Sequence, residues 1–160
     1  MTTPRTRSRL VVLLLLGTIL AATFAVPSVN ARPNVAHRQP SDQQLRDRML
    51  GLVNRSRTSR GLPRLQLNLR LSRGAYDHAR HMARTEELTH TPNLADLISD
   101  VGGTLFGEDL GKGRSLRGIR DAWLRRDSTR RILLDPRFHN VGLGIVHADG
   151  FYWVTLQAFD

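Results

Sequence analysis

The sequence predicts an α+β domain in which helices surround a small antiparallel sheet. Three observations support this prediction. Apolar residues recur at helical spacing through the first part of the domain, and the last twenty residues alternate as two strands about a turn. Cysteine is absent from all 160 residues, which excludes disulfides and thiolate chemistry, so the fold must depend on packing alone.

The first 31 residues have the pattern of a secretory signal peptide. Residues 1–9 carry three arginines and no acid, and an uncharged apolar run follows at residues 10–26. Val29 and Ala31 place small residues at the positions required for cleavage, so we expect a cut after Ala31 and only transient contact with the membrane. The alternative is an uncleaved anchor, because the apolar run is at the lower limit of length for crossing a bilayer.

Residues 32–40 contain two prolines and no apolar periodicity, which predicts a short linker before a single domain at residues 41–160. Removing residues 1–31 takes three arginines from a chain of net charge +10 and leaves about +7. Such a charge favours anionic polymers or lipid headgroups outside the cell. Export, together with basic stretches that lack interleaved aromatics, argues against nucleic acid as a partner.

The first two helices are predicted from their caps. Ser41 and Gln44 form a capping-box pattern, and the helix that they begin ends before Gly61. Asn68 caps a second helix that is expected to run to about Glu87. Its apolar face consists mostly of small residues, which predicts close neighbours.

The middle of the domain is less regular. Residues 88–92 end in proline and are predicted to be a loop, and residues 93–101 a short helix. Residues 104–110 are too short and mixed for a firm assignment, and we expect an irregular or strand-like segment. Ser115 is a cap for a further helix that continues through Leu124.

The end of the chain predicts a β-hairpin. Residues 141–147 and 151–156 are strand-like and flank an Asp-Gly turn. Gly142 and Gly144 leave one face of the first strand without side chains. We therefore expect a helix to pack closely against that face.

Five segments form an ordered set of motifs along the domain. They are MLGLVNRSR at 49–57, residues 71–83, LTH at 88–90, FGEDL at 106–110, and AWL at 122–124 with its continuation to residue 155. Together they resemble the CAP superfamily of cysteine-rich secretory, antigen 5 and pathogenesis-related proteins, and particularly its bacterial cysteine-free branch. The resemblance implies a three-layer α-β-α sandwich and secretion.

The resemblance also implies a cleft lined by two histidines and one or two acids, which binds a divalent metal in some members. His90 matches the first histidine. Glu108 matches the acid of a Gly-Glu-Asn motif, although Asp109 stands where the family has asparagine. These two matches make His90 and Glu108 the principal cleft candidates.

Two of the four family cleft residues are replaced. Thr129 and Arg130 stand at the second histidine and the arginine after it, and Arg126 stands at the second acid. A stable zinc site needs three or four ligands, which His90 and Glu108 alone do not supply. We therefore expect no cofactor, and at most weak metal binding through His90 and Glu108.

Two residue pairs have alternative interpretations. His90 and Glu108 are candidates for an acid–base pair, but we favour a structural hydrogen bond because no nucleophile accompanies them. His78 and His81 lie three residues apart on the second helix, at a spacing that metal ligands can share. We favour an unpaired arrangement because a third ligand is missing.

The arginines at 125–126 and 130–131 form a cluster that suits carboxylate or phosphate groups, and we hypothesise that it shifts the cleft towards anionic ligands. Aromatic residues of the domain are candidates for a lipid site, but we favour core packing for them. They are Trp123, Phe138, Tyr152 and Trp153.

The sequence thus predicts a secreted, single-domain protein that acts as a non-enzymatic ligand-binding or interaction module at the cell envelope or outside the cell. The expected ligand is an anionic envelope component or a lipid. An exported hydrolase that uses His90 and Glu108 is the alternative, and purely electrostatic adhesion is a third possibility.

Overall fold

The computed structural model describes residues 40–160. The predicted signal peptide and all of the predicted linker except Pro40 lie outside these residues. The described part confirms the α+β class. Its elements are, in order, α1 Asp42–Thr58, β1 Gln66–Leu67, α2 Leu69–Thr85, α3 Leu94–Ser99, β2 Phe106–Gly113, α4 Leu116–Arg125, α5 Asp127–Leu133, β3 Asn140–Ala148 and β4 Phe151–Phe159.

The local sequence signals account for most of these boundaries. The side chains of Ser41, Asn68 and Ser115 each accept a hydrogen bond from a backbone amide in the first turn of the helix that follows, as predicted. The β3–β4 turn has positive φ angles at Asp149 (50°) and Gly150 (76°), which is the conformation that an Asp-Gly hairpin turn requires.

The sheet has the strand order β1-β3-β4-β2. The three long strands β2, β3 and β4 pair in antiparallel fashion. The two-residue strand β1 is parallel to β3, an addition that the sequence did not predict because two residues are too short to show an alternating pattern. The segment at 104–110 was predicted to be irregular or strand-like, and its residues from Phe106 onward belong to the edge strand β2.

Helices cover both faces of the sheet and form the predicted three layers. On one face α2 lies directly against β3, where a Cβ atom at Gly144 would stand only 2.0 Å from the carbonyl carbon of Ala75. A Cβ atom at Gly142 would stand 2.6 Å from Cγ of Leu71. The predicted close packing of a helix on the glycine face is therefore confirmed.

The main core lies on the other face, between the sheet and helices α1, α4 and α5. Three of the four aromatic residues proposed for packing, Trp123, Phe138 and Trp153, are buried, which confirms their structural interpretation, whereas Tyr152 is half-buried. The core contributions of α1, α4, β3 and β4 include Leu45, Met49, Val53, Ile119, Trp123, Leu143, Ile145, Val154 and Leu156.

One buried cation connects the end of α1 to the α5–β3 segment. Arg57 is fully buried and donates hydrogen bonds of 2.8 to 3.0 Å to the carbonyl oxygens of Pro63, Leu133, Asp135 and Phe138. The guanidinium group thereby satisfies one backbone acceptor that closely follows α1 and three in the α5–β3 segment. Helical spacing alone gave no indication that this arginine is buried.

Candidate functional site

The candidate site lies where the loop after α2 meets the edge strand β2. Glu108 stands opposite Gln157 in the β2–β4 register, and both side chains point to the face that α2 covers. His90 and Thr91 follow the end of α2 in the chain. The register of two strands and the position of one loop thus bring four polar side chains together.

Glu108 is the centre of the hydrogen-bond network at this site. Its Oε2 accepts a bond of 2.7 Å from Nδ1 of His90 and one of 3.0 Å from the backbone amide of Thr91. Its Oε1 accepts from the hydroxyl of Thr91 and, at 3.1 Å, from Nε2 of Gln157. Both carboxylate oxygens are therefore occupied.

The two partners differ strongly in exposure. The side chain of Glu108 is 3% exposed and that of His90 is 77% exposed. Burial raises the pKa of Glu108, but the hydrogen bonds from Thr91, Gln157 and His90 outweigh burial and hold this pKa below its usual value. Glu108 is thus a fixed carboxylate, and in the neutral imidazole it keeps the proton of His90 on Nδ1 and leaves Nε2 as an acceptor.

His78 anchors the loop that carries His90. Its Nε2 lies 2.6 Å from the carbonyl oxygen of Thr89, and since a carbonyl can only accept, Nε2 donates this bond. The side chain is buried and stacks on His81 with a ring centroid separation of 6.4 Å. The alternative in which His78 and His81 share a metal ion gains no third ligand within residues 40–160.

Asp109 follows Glu108 but points to the opposite face of the sheet. It is 0% exposed, and neither carboxylate oxygen has a hydrogen-bond partner within the described residues. Burial, and to a smaller extent the charge of Glu108, raises the pKa of Asp109 to about 8. Asp109, which stands where the Gly-Glu-Asn motif has asparagine, is therefore mostly protonated at neutral pH in the folded protein.

The other three predicted cleft residues lie around the junction of α4 and α5. The Thr129 hydroxyl donates to the carbonyl oxygen of Trp123 at 2.7 Å, and Arg130 pairs with Asp127 at 2.6 Å. Arg126 is exposed and has extended backbone between the two helices (φ −96°, ψ 132°). Thr129 thus helps to hold the junction between α4 and α5. The sequence analysis assigned α4 but did not assign α5 as a helix of its own.

Helix α5 belongs to the layer on the far side of the sheet from Glu108. A Cβ atom at Gly107 would stand 2.9 Å from the side chain of Ile132 on α5, whereas Glu108 points the other way. Across residues 40–160, no hydrogen bond or ion pair links Arg126, Thr129 or Arg130 to His90 or Glu108. The five candidates thus form two separate groups, since His90 bonds to Glu108 whereas Thr129 and Arg130 both donate to the carbonyl oxygen of Arg126. A shared cleft for all five stays a prediction.

The donor set at this site does not fit the divalent metal that the resemblance associates with some members. Nδ1 of His90 and both oxygens of Glu108 are engaged in hydrogen bonds, which leaves Nε2 of His90 as a single nitrogen ligand. Within the described residues no three histidine, aspartate or glutamate side chains converge as ligands. Zinc requires three or four protein ligands. A chain without a cofactor stays the prediction.

Gln157, Thr91 and His78 were not among the predicted cleft residues. Thr91 adjoins His90 in the sequence, but only the β2–β4 register shows that Gln157 faces Glu108.

Comparison with known proteins tests the family assignment directly. A model of the cysteine-rich secretory protein family, named CAP, matches residues 50–158. The chain belongs to the CAP family. A search of curated proteins gives no significant match.

Solved structures support the CAP fold. An extracellular protein from Bacillus anthracis that contains an SCP domain is 26% identical, with a TM-score of 0.59 over 71% of this chain and 39% of that chain. An outer surface protein from Borrelia burgdorferi is 18% identical, with a TM-score of 0.65 over 72% of this chain and 91% of that one. A cysteine-rich secretory protein from Staphylococcus aureus is 19% identical, with a TM-score of 0.61 over 75% and 40%.

These comparisons confirm the predicted family and fold. The CAP chain spans about two fifths of the B. anthracis and S. aureus proteins. The similar proteins include one described as extracellular. None of the helices within residues 40–160 has the length and apolar character needed to cross a membrane.

Proposed function

We propose that this CAP-family chain is a secreted, non-enzymatic ligand-binding module that acts at the cell envelope or outside the cell. Secretion is supported by the signal-peptide pattern of residues 1–31 and by an extracellular structural relative. The observation that carries the non-enzymatic proposal is the saturation of Glu108 by four hydrogen bonds. A carboxylate held in this way has no proton to donate, and no nucleophilic side chain forms a hydrogen bond with His90 within the described residues.

The site is suited to binding because it presents a fixed polar group on an exposed surface. Glu108 orients the imidazole of His90, and His78 holds the loop from the other side. A ligand that donates a hydrogen bond to Nε2 of His90 meets a preorganised acceptor, so the His90 side chain loses little conformational entropy on binding. The exposed side chain of Phe106 points to the same face of β2 as Glu108 and adds an apolar surface beside the polar one.

The charge of the chain indicates the class of ligand. A domain of about +7 outside the cell attracts anionic polymers of the envelope over a distance of about 10 Å at ordinary salt. In this proposal long-range attraction concentrates the protein on the polymer, and the His90 site then selects hydrogen-bonding groups on it. Binding at the site should therefore survive salt concentrations that abolish the electrostatic part.

The test is binding of the full secreted chain to isolated envelope material at low and high salt. We expect saturable binding, and a loss of about tenfold in affinity for His90→Ala at high salt, as expected for one well-formed hydrogen bond to a charged or oriented group. His139→Ala is the matched control, because His139 is exposed just before β3 and its side chain makes no hydrogen bond within the described residues. Equal losses for the two variants would refute a role for the site.

The second candidate function is an exported hydrolase, and it is favoured by the geometry of the same pair. A carboxylate that orients an imidazole is the base-and-orienter part of a catalytic triad. The two functions differ in product formation. Release of soluble fragments from the envelope material that stops in a folded Glu108→Gln variant would establish the hydrolase, whereas saturable binding without fragments supports the module.

A further inference from the structure

Two exposed cations lie on aromatic rings near the end of the edge strand β2. Nζ of Lys112 is 4.3 Å from the centroid of the Trp153 ring and 5.2 Å from that of the Phe151 ring. The guanidinium group of Arg114 lies over the same Phe151 ring, also at 5.2 Å from its centroid. Two groups at this distance from one centroid are no more than about twice that distance apart, so both act on an anionic group placed between them.

Neither cation is neutralised by an ion pair within residues 40–160. The two acids of β2 are also unavailable to them. Both oxygens of Glu108 are engaged by hydrogen bonds, and Asp109 points to the opposite face of the sheet. Lys112 and Arg114 therefore present two positive charges at the surface, and a bound anion would offset their mutual repulsion.

The aromatic rings restrict where the two charges lie. Trp153 is buried and Phe151 is half-buried, so packing fixes both rings. The negative face of an aromatic ring attracts a cation, which keeps the head groups of Lys112 and Arg114 close to one place. Side chains that are held in this way lose less conformational entropy when they meet an anion.

The two cations lie on the same face of the sheet as the His90 site. Successive residues of a strand point to alternate faces, so Lys112 shares the face of Glu108. The β4 partners agree, because Trp153 contacts Lys112 and Gln157, four residues further along β4, bonds to Glu108. Four residue steps along β2, or about 13 Å, separate the position of Lys112 from that of Glu108.

The surface between the two places favours a ligand that is recognised by side chains. Leu110 lies between Glu108 and Lys112 on this face and is half-buried. Its carbonyl oxygen accepts a hydrogen bond of 2.8 Å from Nε1 of Trp123. That bond occupies a backbone acceptor in the middle of the edge strand, which disfavours the addition of a peptide strand there.

We propose that Lys112 and Arg114 form an anion subsite of the His90 site, and that the ligand of this extended site is an acidic polysaccharide. Its acidic group lies between the two cations, and a hydroxyl group about 13 Å along the chain donates to Nε2 of His90. A polysaccharide meets both requirements because one chain carries hydroxyl donors and repeated acidic groups. The inference rests on the proposed function, since it specifies the ligand of the same site.

Lys112 is the only lysine of the sequence, which provides a selective readout. In protein labelled with ¹³C-lysine, the ε-methylene signal reports on the subsite alone. The full secreted chain is titrated at constant ionic strength with tetragalacturonic acid, with neutral maltotetraose and with inorganic phosphate. We expect tetragalacturonic acid to shift this signal saturably and to bind about tenfold more tightly than maltotetraose, and phosphate to shift it at millimolar concentration.

The three probes distinguish the possible occupants. A shift by inorganic phosphate without one by tetragalacturonic acid would overturn the acidic polysaccharide as the ligand. Equal affinity for the acidic and the neutral oligosaccharide would overturn the anion subsite, and so would a Lys112 signal that none of the probes shifts.

Charge-matched variants separate this subsite from general attraction, with affinities measured by isothermal titration. The double variant Lys112→Gln/Arg114→Gln should lose about tenfold or more in affinity for tetragalacturonic acid. The control Arg73→Gln/Arg80→Gln removes the same charge from exposed positions on α2 and should stay within about twofold. Circular dichroism and thermal unfolding verify that each variant is folded. Equal losses in the two double variants would refute the proposal.

The His90→Ala variant distinguishes failure of this inference from failure of the proposed function. We expect it to weaken binding of tetragalacturonic acid and to leave the phosphate-induced shift of Lys112 unchanged, because phosphate is too small to reach both places. If His90→Ala weakens envelope binding but Lys112→Gln/Arg114→Gln does not, the anion subsite alone is wrong. If only the double variant weakens binding, the subsite stands and the role of His90 is wrong.

Discussion

Asp109→Asn is the substitution whose effect on stability follows most directly from the structure. Asp109 is fully buried on the core side of β2, and both carboxylate oxygens lack partners within the described residues. Asparagine has almost the same shape but carries no titratable group, so the packing should be retained. The substitution also restores the asparagine of the family's Gly-Glu-Asn motif.

The magnitude follows from the difference between the two pKa values. The pKa of Asp109 is about 8 in the folded protein and 3.8 in an unperturbed side chain. Between these values the folded protein holds a proton that the unfolded chain has released, so this group lowers the free energy of unfolding as the pH rises, by about 1.4 kcal/mol per pH unit. The resulting reduction in the free energy of unfolding is absent well below pH 3.8, amounts to about 4 kcal/mol at pH 7 and levels off above pH 8.

Urea unfolding of both proteins at several pH values between 5 and 8 measures this effect. The stability gain of Asp109→Asn should increase from about 2 kcal/mol at pH 5 to about 4 kcal/mol at pH 7. Asp149→Asn is the matched control, because it makes the same change at an exposed turn position whose positive φ asparagine tolerates. A gain that does not change with pH, or no gain at pH 7, would show that the buried carboxyl is not protonated as described.

Two further predictions concern packing and a buried cation. Gly144→Ala should destabilise the protein by about 3 kcal/mol or more, because its Cβ would collide with the α2 backbone, whereas Gly74→Ala on α2 has open space and should stabilise by about 0.5 to 1 kcal/mol. Calorimetric unfolding of both variants tests this contrast, which fails if the two shift the melting temperature alike. Arg57→Ala should cost about 3 kcal/mol or more because it leaves buried carbonyl groups without donors, whereas the exposed Arg48→Ala should change stability by about 0.5 kcal/mol or less. Denaturant unfolding compares the two arginine variants, and a loss for Arg57→Ala as small as that for Arg48→Ala would contradict the burial argument.

The candidate site was only partly predictable. His90 and Glu108 were found from the family motifs, and the structure joins them by a hydrogen bond. Gln157 was not found, because it faces Glu108 only through the pairing of two strands that are about fifty residues apart in the sequence. Arg126 was placed with the cleft by motif alignment, yet its contacts depend on a break between α4 and α5 that apolar periodicity does not reveal.

The sequence by itself determined the features that arise within one turn or one strand. Ser41 and Asn68 begin helices because a side-chain oxygen and a backbone amide only three residues away satisfy each other. Gly144 predicted a close helix because the absence of a side chain is visible without knowing the neighbour.

The tertiary structure alone decided which distant groups meet. It placed Arg57 among four carbonyl groups and left Asp109 in the core without a hydrogen-bond partner in the described part of the chain. Burial and charge at these places are set by segments separated by many tens of residues. A local pattern carries no information about such neighbours, which is why the chemistry of this CAP domain became visible only in the folded chain.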